Sequence, residues 1–367
     1  MGCHPTVGVE EEFLLIDPDN GEPAARNKAV ADHAATHGVK LQLELTSCQI
    51  ETTTDVMSSS DKLRSELSRL RRVAAEAAEV NNTRLLAVAL PPTVPHEFPV
   101  TDTPRYRMIA DKFGMIAHEQ GICGCHVHVA VPSREAAIRV SNRLRPWLHL
   151  LLALTANSAV YRNTDTGYAS FRSMLWTRWP SSGPPPHFDS VDEYDAVVRM
   201  LRDAGAVLDD GMIYWDVRPS ANFPTVEVRV ADIPATVAET VLLATLIRAA
   251  VMTALEAERD GEGTPRLAPH ALKAAYWKSA RDGLDGEAID LVQTHASAPT
   301  RALLSGFVDH VRPALEALGD YEMVRSELAR IILAGNGAMR QRRVWRRREL
   351  VGDVIEELAA ATLEDTL

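Results

Sequence analysis

The stretch VGVEEEFLLID, residues 7–17, places Glu10 and Glu12 on one face of an extended chain and Val9 and Phe13 on the other. Side chains on a strand alternate, so residues two apart point the same way. The turn-rich run DPDNGEP (17–23) ends it, and the segment is predicted to be a strand. The same spacing returns along the chain. Gln49 and Glu51 share a face in LQLELTSCQIETTT (41–54), and His126 and His128 in ICGCHVHVAVP (122–132). Asp216 and Arg218 do so in MIYWDVRP (212–219), and Glu227 and Arg229 in TVEVRVADIP (225–234). The residues between them, Ile50, Val127, Val217 and Val228, are apolar, and Glu11 alone breaks the pattern. The last two strands lie a few residues apart and are expected to pair antiparallel.

Other segments fill in the organisation. A helix is predicted over about 58–82 with Ser60 or Asp61 as N-cap. RLLAVALPP (84–92) reads as a short buried strand, and Ser133 is expected to cap a helix running to about Ala159 with a break near Pro146. WPSSGPPPHFDS (179–190) reads as a loop, with residues 180–187 a candidate lid. Beyond Ala235 the pattern turns helical, with helices expected at 237–259, 300–318, 320–335 and 349–363. Strands first and helices after favour an α+β fold, an antiparallel sheet with helices on one side. One catalytic domain is expected over 1–367, strand-rich from about 5 to 235 and helical from 236 to 367.

A sheet face carrying polar residues is ordinary where water wets it. Here that face carries Glu, Asp, His and Arg with hardly a lysine. Crowded carboxylates repel one another unless a cation lies between them. Hard oxygen ligands suit Mg²⁺, which prefers carboxylates plus substrate phosphates. Arginines on the same face suit phosphate or carboxylate recognition. A zinc cluster of Cys123, Cys125, His126 and His128 is disfavoured, because the cysteines of one strand would point away from the histidines, toward the core.

The composition excludes other classes. Among 367 residues, 46% are hydrophobic, enough for a sizeable core, and the net charge of −11 argues against a basic nucleic-acid surface. No run of about 18 apolar residues stands out as a membrane span. The start MGCHPTV is expected to be neither a secretory signal nor a lipidation site at Gly2 or Cys3. Four cysteines in so long a chain form no disulfide framework, and reduced thiols in the cytoplasm are expected. There is no GxxxxGK[ST] loop, no GxGxxG after a strand and no GxSxG elbow.

In this order, GVEEEFLLID, ELTSCQIET, GCHVHVAVP, NSAVYRNTDTGYASFR (157–172), WDVRP and TVEVRVADIP resemble the glutamate–cysteine ligase type 2 family, the YbdK-like carboxylate–amine ligases. The resemblance runs from about Val7 into the C-terminal helices. It implies a glutamine-synthetase-like fold, a curved antiparallel sheet whose charged open face holds Mg²⁺ (or Mn²⁺) and ATP. It also implies formation of γ-glutamylcysteine from glutamate and cysteine through an acyl phosphate, and a homodimer. By this resemblance Glu12, Glu44 and Glu51 are ligands of one metal. Glu10, Glu227 and His126 hold the metals that bridge the ATP phosphates. Arg229 acts beside Glu227 on the transferring phosphoryl group, and Arg172 receives the amino-acid substrate. The parity of Glu44 is wrong for sharing a face with Glu51 on a regular strand, so a bulge or bend near Thr46–Ser47 is required. The run from Arg340 to Arg348 reaches the nucleotide, forms a subunit contact or is solvated. Other acid–amine pairs, a metal-dependent hydrolase on the His126/His128 face and a silent nucleotide or amino-acid binder stay open.

Overall fold

The fold is taken from a computed structural model that describes residues 4–95, 98–119 and 121–366; Cys3 lies outside them. The opening stretch forms β1 (Val7–Ile16), and α1 (Asn27–Thr36) follows the turn. The segment expected to be one extended stretch is two strands, β2 (Gln42–Leu43) and β3 (Gln49–Thr53), because the chain reverses at Ser47–Cys48. Its corner is tied down by Ser47 N–H donating to the Pro99 carbonyl and Asn27 N–H to the Ser47 carbonyl.

Helix α2 (Ser60–Val80) is capped by Ser59 rather than Ser60 or Asp61, since Ser59 has the extended backbone from which its hydroxyl accepts the Lys62 N–H. Next come β4 (Arg84–Leu86), α3 (Pro104–Phe113), α4 (Met115–His118) and β5 (Gly124–Ala130). The helix expected after Ser133 is broken at Pro146 into α5 (Arg134–Leu144) and α6 (Leu148–Thr155). It ends before Ala159, and a small hairpin follows, β6 (Val160–Tyr161) with β7 (Thr164–Asp165). After α7 (Phe171–Trp176) and α8 (Val191–Asp203) the chain returns to the sheet as β8 (Val217–Pro219) and β9 (Thr225–Asp232), an antiparallel pair.

The remainder is α9 (Val237–Arg259), α10 (Pro269–Asp282), the hairpin β10 (Glu287–Ile289) and β11 (Ser297–Pro299), α11 (Thr300–Leu318), α12 (Tyr321–Ala334), α13 (Gly337–Arg348) and α14 (Val351–Thr362). The β10–β11 hairpin interrupts the largely helical tail expected from sequence.

The main sheet is antiparallel and open, in the order β2-β3-β1-β5-β9-β8, with β4 also on β1. Its apolar face, with Val7, Val9, Val127, Val129, Val226 and Val228, shares one core with α2, α5 and α9. Helix α9 is apolar all round and buried through most of its length, as expected of the central helix of a layered fold. By length and hydropathy it qualifies as a membrane-crossing helix, yet 89% of its most apolar stretch is packed inside the protein.

Glu11, the exception to the alternation, lies on this apolar side. Its carboxylate meets the Arg71 guanidinium at 2.5 Å, both side chains are fully buried, and Thr240 Oγ1 donates to it at 2.6 Å. The remaining Arg71 donors go to the carbonyls of Pro234, Ala235 and Thr362 at 3.0, 3.0 and 3.3 Å.

The basic run is the helix α13. Arg340 is buried against Glu239 of α9 (2.7 and 3.1 Å), Arg342 pairs with Asp165 (3.1 Å) and Arg348 with Asp353 (2.5 Å). Arg340 and Arg342 fasten α13 to the rest of the chain and Arg348 joins it to α14, and none of them lines the charged recess.

Candidate active site

Strand pairing lines up the charged rows. Glu12 lies opposite Glu51, Glu10 opposite His126, His128 opposite Glu227, and Glu227 opposite Arg218. Residues opposite one another in a ladder share a face, so one side of the sheet gathers carboxylates, imidazoles and guanidiniums. Gln42 pairs with Glu51, and Glu44 is two residues on from Gln42, so the turn at Ser47–Cys48 brings Glu44 to the face of Glu51. The bend that the parity of Glu44 required is this turn.

A second irregularity was not visible in the sequence. Between β5 and β9 the register shifts between Cys125 and Val127, where Cys125 faces Ala231 and Val127 faces Val228. The bulge holds one extra residue on β9 opposite His126. Beyond it the parity of β9 inverts, and Asp232, opposite Gly124, joins the charged face.

That face is walled by α3, α7 and the segment around Trp179 and Tyr214, which leave a recess of about 200 Å³. Glu10, Glu12, Glu44, Glu51, His126, Arg172 and Arg229 line it. Gln49, Tyr106, Trp176, Trp179 and Tyr214 line it too and were not singled out as site residues. A larger groove of about 910 Å³ lies elsewhere, beside Met252 and Pro313, and its Glu258 is already paired with Arg139.

Among the described residues, three sets of side chains bring ligand atoms within 4.8 Å of one another: Glu12/Glu44/Glu51, Glu10/Glu51/His126 and Glu10/His128/Glu227. Glu12, Glu44 and Glu51 are thus together. His126 groups with Glu10 and Glu51, and it is His128 that groups with Glu10 and Glu227. His128 Nδ1 is held by Thr225 Oγ1 at 3.0 Å, and its Nε2 is buried with no hydrogen-bond partner, 3.4 Å from Glu10. An imidazole fixed through one nitrogen with the other aimed at carboxylates is oriented as metal-ligating histidines are. The signal was present in the shared parity of His126 and His128.

The electrostatics divide the carboxylates into two kinds. Burial raises the Glu44 carboxyl to about 8, with Glu12 adding to the rise. Burial and then the neighbouring Glu44, Glu10 and Glu12 push Glu51 well above the carboxylate range. For Glu10, burial is outweighed by the His126 and His128 imidazoles beside it, and its carboxyl falls below the usual range. Burial at Glu227 is likewise outweighed by Arg229 and Arg218, which both bond its carboxylate, Arg218 at 2.9 Å.

Arg229 also approaches His126 Nδ1 at 3.4 Å. Arg172, on α7, stacks over the Trp176 ring at 5.7 Å, and its Nε is buried without a hydrogen-bond partner. A Cβ at Gly124 would lie 2.7 Å from Arg172 Nη2, so this glycine admits the guanidinium against the strand. The loop before α7 rests on the end of α10, where Ser170 N–H donates to the Ala280 carbonyl at 3.0 Å and Gly283 packs against Ala169.

Cys123 and Cys125 are buried in the two halves of the core, away from the histidine rings. The candidate lid, residues 180–187, is tied to the chain near Tyr214 at Ser181 and Gly183. Ser181 Oγ donates to the Met212 carbonyl at 2.5 Å, and Asp216 N–H donates to the Gly183 carbonyl at 2.9 Å.

The model of glutamate–cysteine ligase family 2 matches residues 6–360. The chain belongs to this family. A relative from Mycolicibacterium smegmatis, whose name marks it as a candidate glutamate–cysteine ligase 2-3, is 72% identical over 100% of both chains. One from Nocardia farcinica, named as a candidate glutamate–cysteine ligase 2-1, is 59% identical over 98% of this chain and 94% of its own. The crystal structure of a glutamate–cysteine ligase from Francisella tularensis in complex with AMP superposes with a TM-score of 0.71 at 14% identity, covering 100% of this chain and 89% of that one. The fold is therefore glutamine-synthetase-like, and the family member described here is an ATP-dependent carboxylate–amine ligase of the glutamate–cysteine ligase kind.

In the metal-free protein, Glu44 and Glu51 have carboxyls raised above their unfolded values. Their contribution to stability is full below about pH 4.5 and is lost as pH rises through the folded values. Glu10 and Glu227 are shifted the other way, and their contribution is lost only at lower pH. The melting temperature of metal-free protein is therefore expected to fall from pH 5 toward pH 9. Added Mg²⁺ is expected to flatten this slope and to release protons on binding. Thermal melts across pH, and titration calorimetry in buffers of different ionisation enthalpy, check both.

Proposed function

We propose that the protein joins the γ-carboxylate of glutamate to the amine of cysteine, with ATP converted to ADP and phosphate. The observation that carries this reading is the recess itself, with carboxylates from β1, β3 and the end of β2 on one side and Arg172 and Arg229 on the other.

The donor set fits divalent cations. Burial and the neighbouring glutamates raise the Glu44 and Glu51 carboxyls, a crowding of charge that a divalent cation would offset, and His128 Nε2 faces Glu10 at 3.4 Å with no hydrogen-bond partner. Glu12, Glu44 and Glu51 would hold one Mg²⁺ or Mn²⁺, and Glu10, Glu227, His126 and His128 would hold the ions at the ATP phosphates. When bound, these ions supply charge neutralisation at the phosphoryl oxygens, the main requirement of phosphoryl transfer.

The chain's own residues supply the rest of this reading. Arg172 binds the donor amino acid through a carboxylate. Arg229 is held between Glu227 and His126, where it offsets charge on the γ-phosphoryl group as the donor's side-chain carboxylate attacks phosphorus and ADP leaves. The walls of Tyr106, Trp176, Trp179 and Tyr214 exclude water from the acyl phosphate until the amine displaces phosphate. Buried free thiols at Cys48, Cys123 and Cys125 agree with a reducing, cytoplasmic setting.

A screen of acids and amines with phosphate release as readout tests the proposal. Glutamate with cysteine is expected to give the highest rate. A higher rate with another pair would keep the ligase chemistry and replace the substrates. Tightly held zinc with activity independent of ATP would remove the reading altogether.

A further inference from the structure

We infer that Asp232 is a positioning residue for Arg172, acting through the hydroxyls of Ser158 and Ser170. Asp232 is fully buried at the end of β9 and reaches the charged side only because of the bulge beside Arg229. Its Oδ2 accepts the Ser158 hydroxyl and the Asn157 N–H, both at 2.8 Å, and its Oδ1 accepts the Ser170 hydroxyl at 2.8 Å.

A carboxylate can only accept, so both hydroxyl hydrogens are committed to it and both serine oxygens keep their lone pairs for other donors. Those donors are the first amides of α7. Arg172 N–H donates to Ser158 Oγ at 3.1 Å and Ser173 N–H to Ser170 Oγ at 3.3 Å. The Arg172 guanidinium also returns toward the same carboxylate, Nη1 lying 3.8 Å from Oδ1. One buried charge thus anchors the start of the short helix and faces the arginine that leaves it, whose guanidinium also donates to the carbonyls of Val230 and Arg229, both at 3.4 Å.

The consequence for catalysis rests on the reading of Arg172 as the donor's partner. In Asp232→Asn, one oxygen becomes an NH₂ group, a serine hydroxyl loses its acceptor, and the charge facing Arg172 disappears.

The test has two arms on the full-length protein, with Ser158→Ala as a second variant. Hydrogen exchange of the unliganded protein is expected to show the Arg172 and Ser173 amides exchanging about tenfold faster in Asp232→Asn, as for loss of a charge-assisted hydrogen bond. Amides of α9 should be unchanged. Steady-state kinetics with L-glutamate are expected to show KM for glutamate rising about tenfold, with KM for ATP unmoved. Ser158→Ala should shift both readouts in the same direction. Unchanged exchange in α7, or a uniform loss of kcat with both KM values intact, would overturn the positioning role. A wild-type protein inactive on glutamate would sink the substrate assignment instead, and the exchange arm would still decide the role of Asp232.

Discussion

Replacement of Glu51 by glutamine is expected to lower ATP-dependent phosphate release by on the order of a hundred- to a thousandfold, the range seen when a group stabilising transition-state charge is removed. Glu51 belongs to two of the three ligand sets, with Glu12 and Glu44 and with Glu10 and His126. Its neutralisation thins both. The same change removes a carboxyl whose ionisation burial and three neighbouring glutamates oppose. The metal-free variant is therefore expected to melt no lower than the wild type at neutral pH, and higher above it. Phosphate-release kinetics and paired melts with and without Mg²⁺ check the two halves. Full activity in the variant would show that the metal assignment is wrong.

Glu227 behaves differently. Its carboxylate is bonded by both Arg218 and Arg229, so Glu227→Gln leaves two buried guanidiniums underpaired. Relief of crowding therefore applies to Glu51 and not to Glu227.

Arg71→Met is expected to destabilise the protein by about 3–5 kcal/mol, the usual cost of leaving one partner of a buried ion pair without the other. Glu11 would then hold a buried carboxylate bonded only by Thr240 Oγ1. The carbonyls of Pro234, Ala235 and Thr362, which Arg71 ties together between β9, α9 and α14, would each lose a donor. The double variant Glu11→Leu with Arg71→Met removes the stranded charge and should recover part of the loss, since apolar replacement of a whole buried pair is often neutral or stabilising. Denaturant unfolding of the two variants decides the matter. Equal stability of the single variant and the wild type would mean that the pair contributes nothing.

Much of the architecture was legible because a strand's period of two is a local property. Glu10 with Glu12, His126 with His128 and Glu227 with Arg229 needed only their own segments to declare a common face. Helices such as α9 and α11 were read at their observed limits from apolar spacing. The docked segment Ser181–Gly183 escaped the same reading. Its proline and glycine content signals a loop, while its bonds to Met212 and Asp216 depend on a partner some thirty residues away.

By itself, then, the sequence determined the alternating strands, the charged face and the family. The tertiary structure alone decided which charges meet. The turn at Ser47–Cys48 brings Glu44 beside Glu51, the register of β5 on β9 groups His128 with Glu10 and Glu227, and the bulge on β9 carries Asp232 to the side of Arg172. Glu11 breaks the pattern because Arg71, sixty residues on, balances its charge in the core. Each of these depends on which strand or helix lies alongside. Parity within a segment follows from backbone geometry, whereas pairing register and burial arise only when distant segments compete for the same hydrogen bonds and the same core.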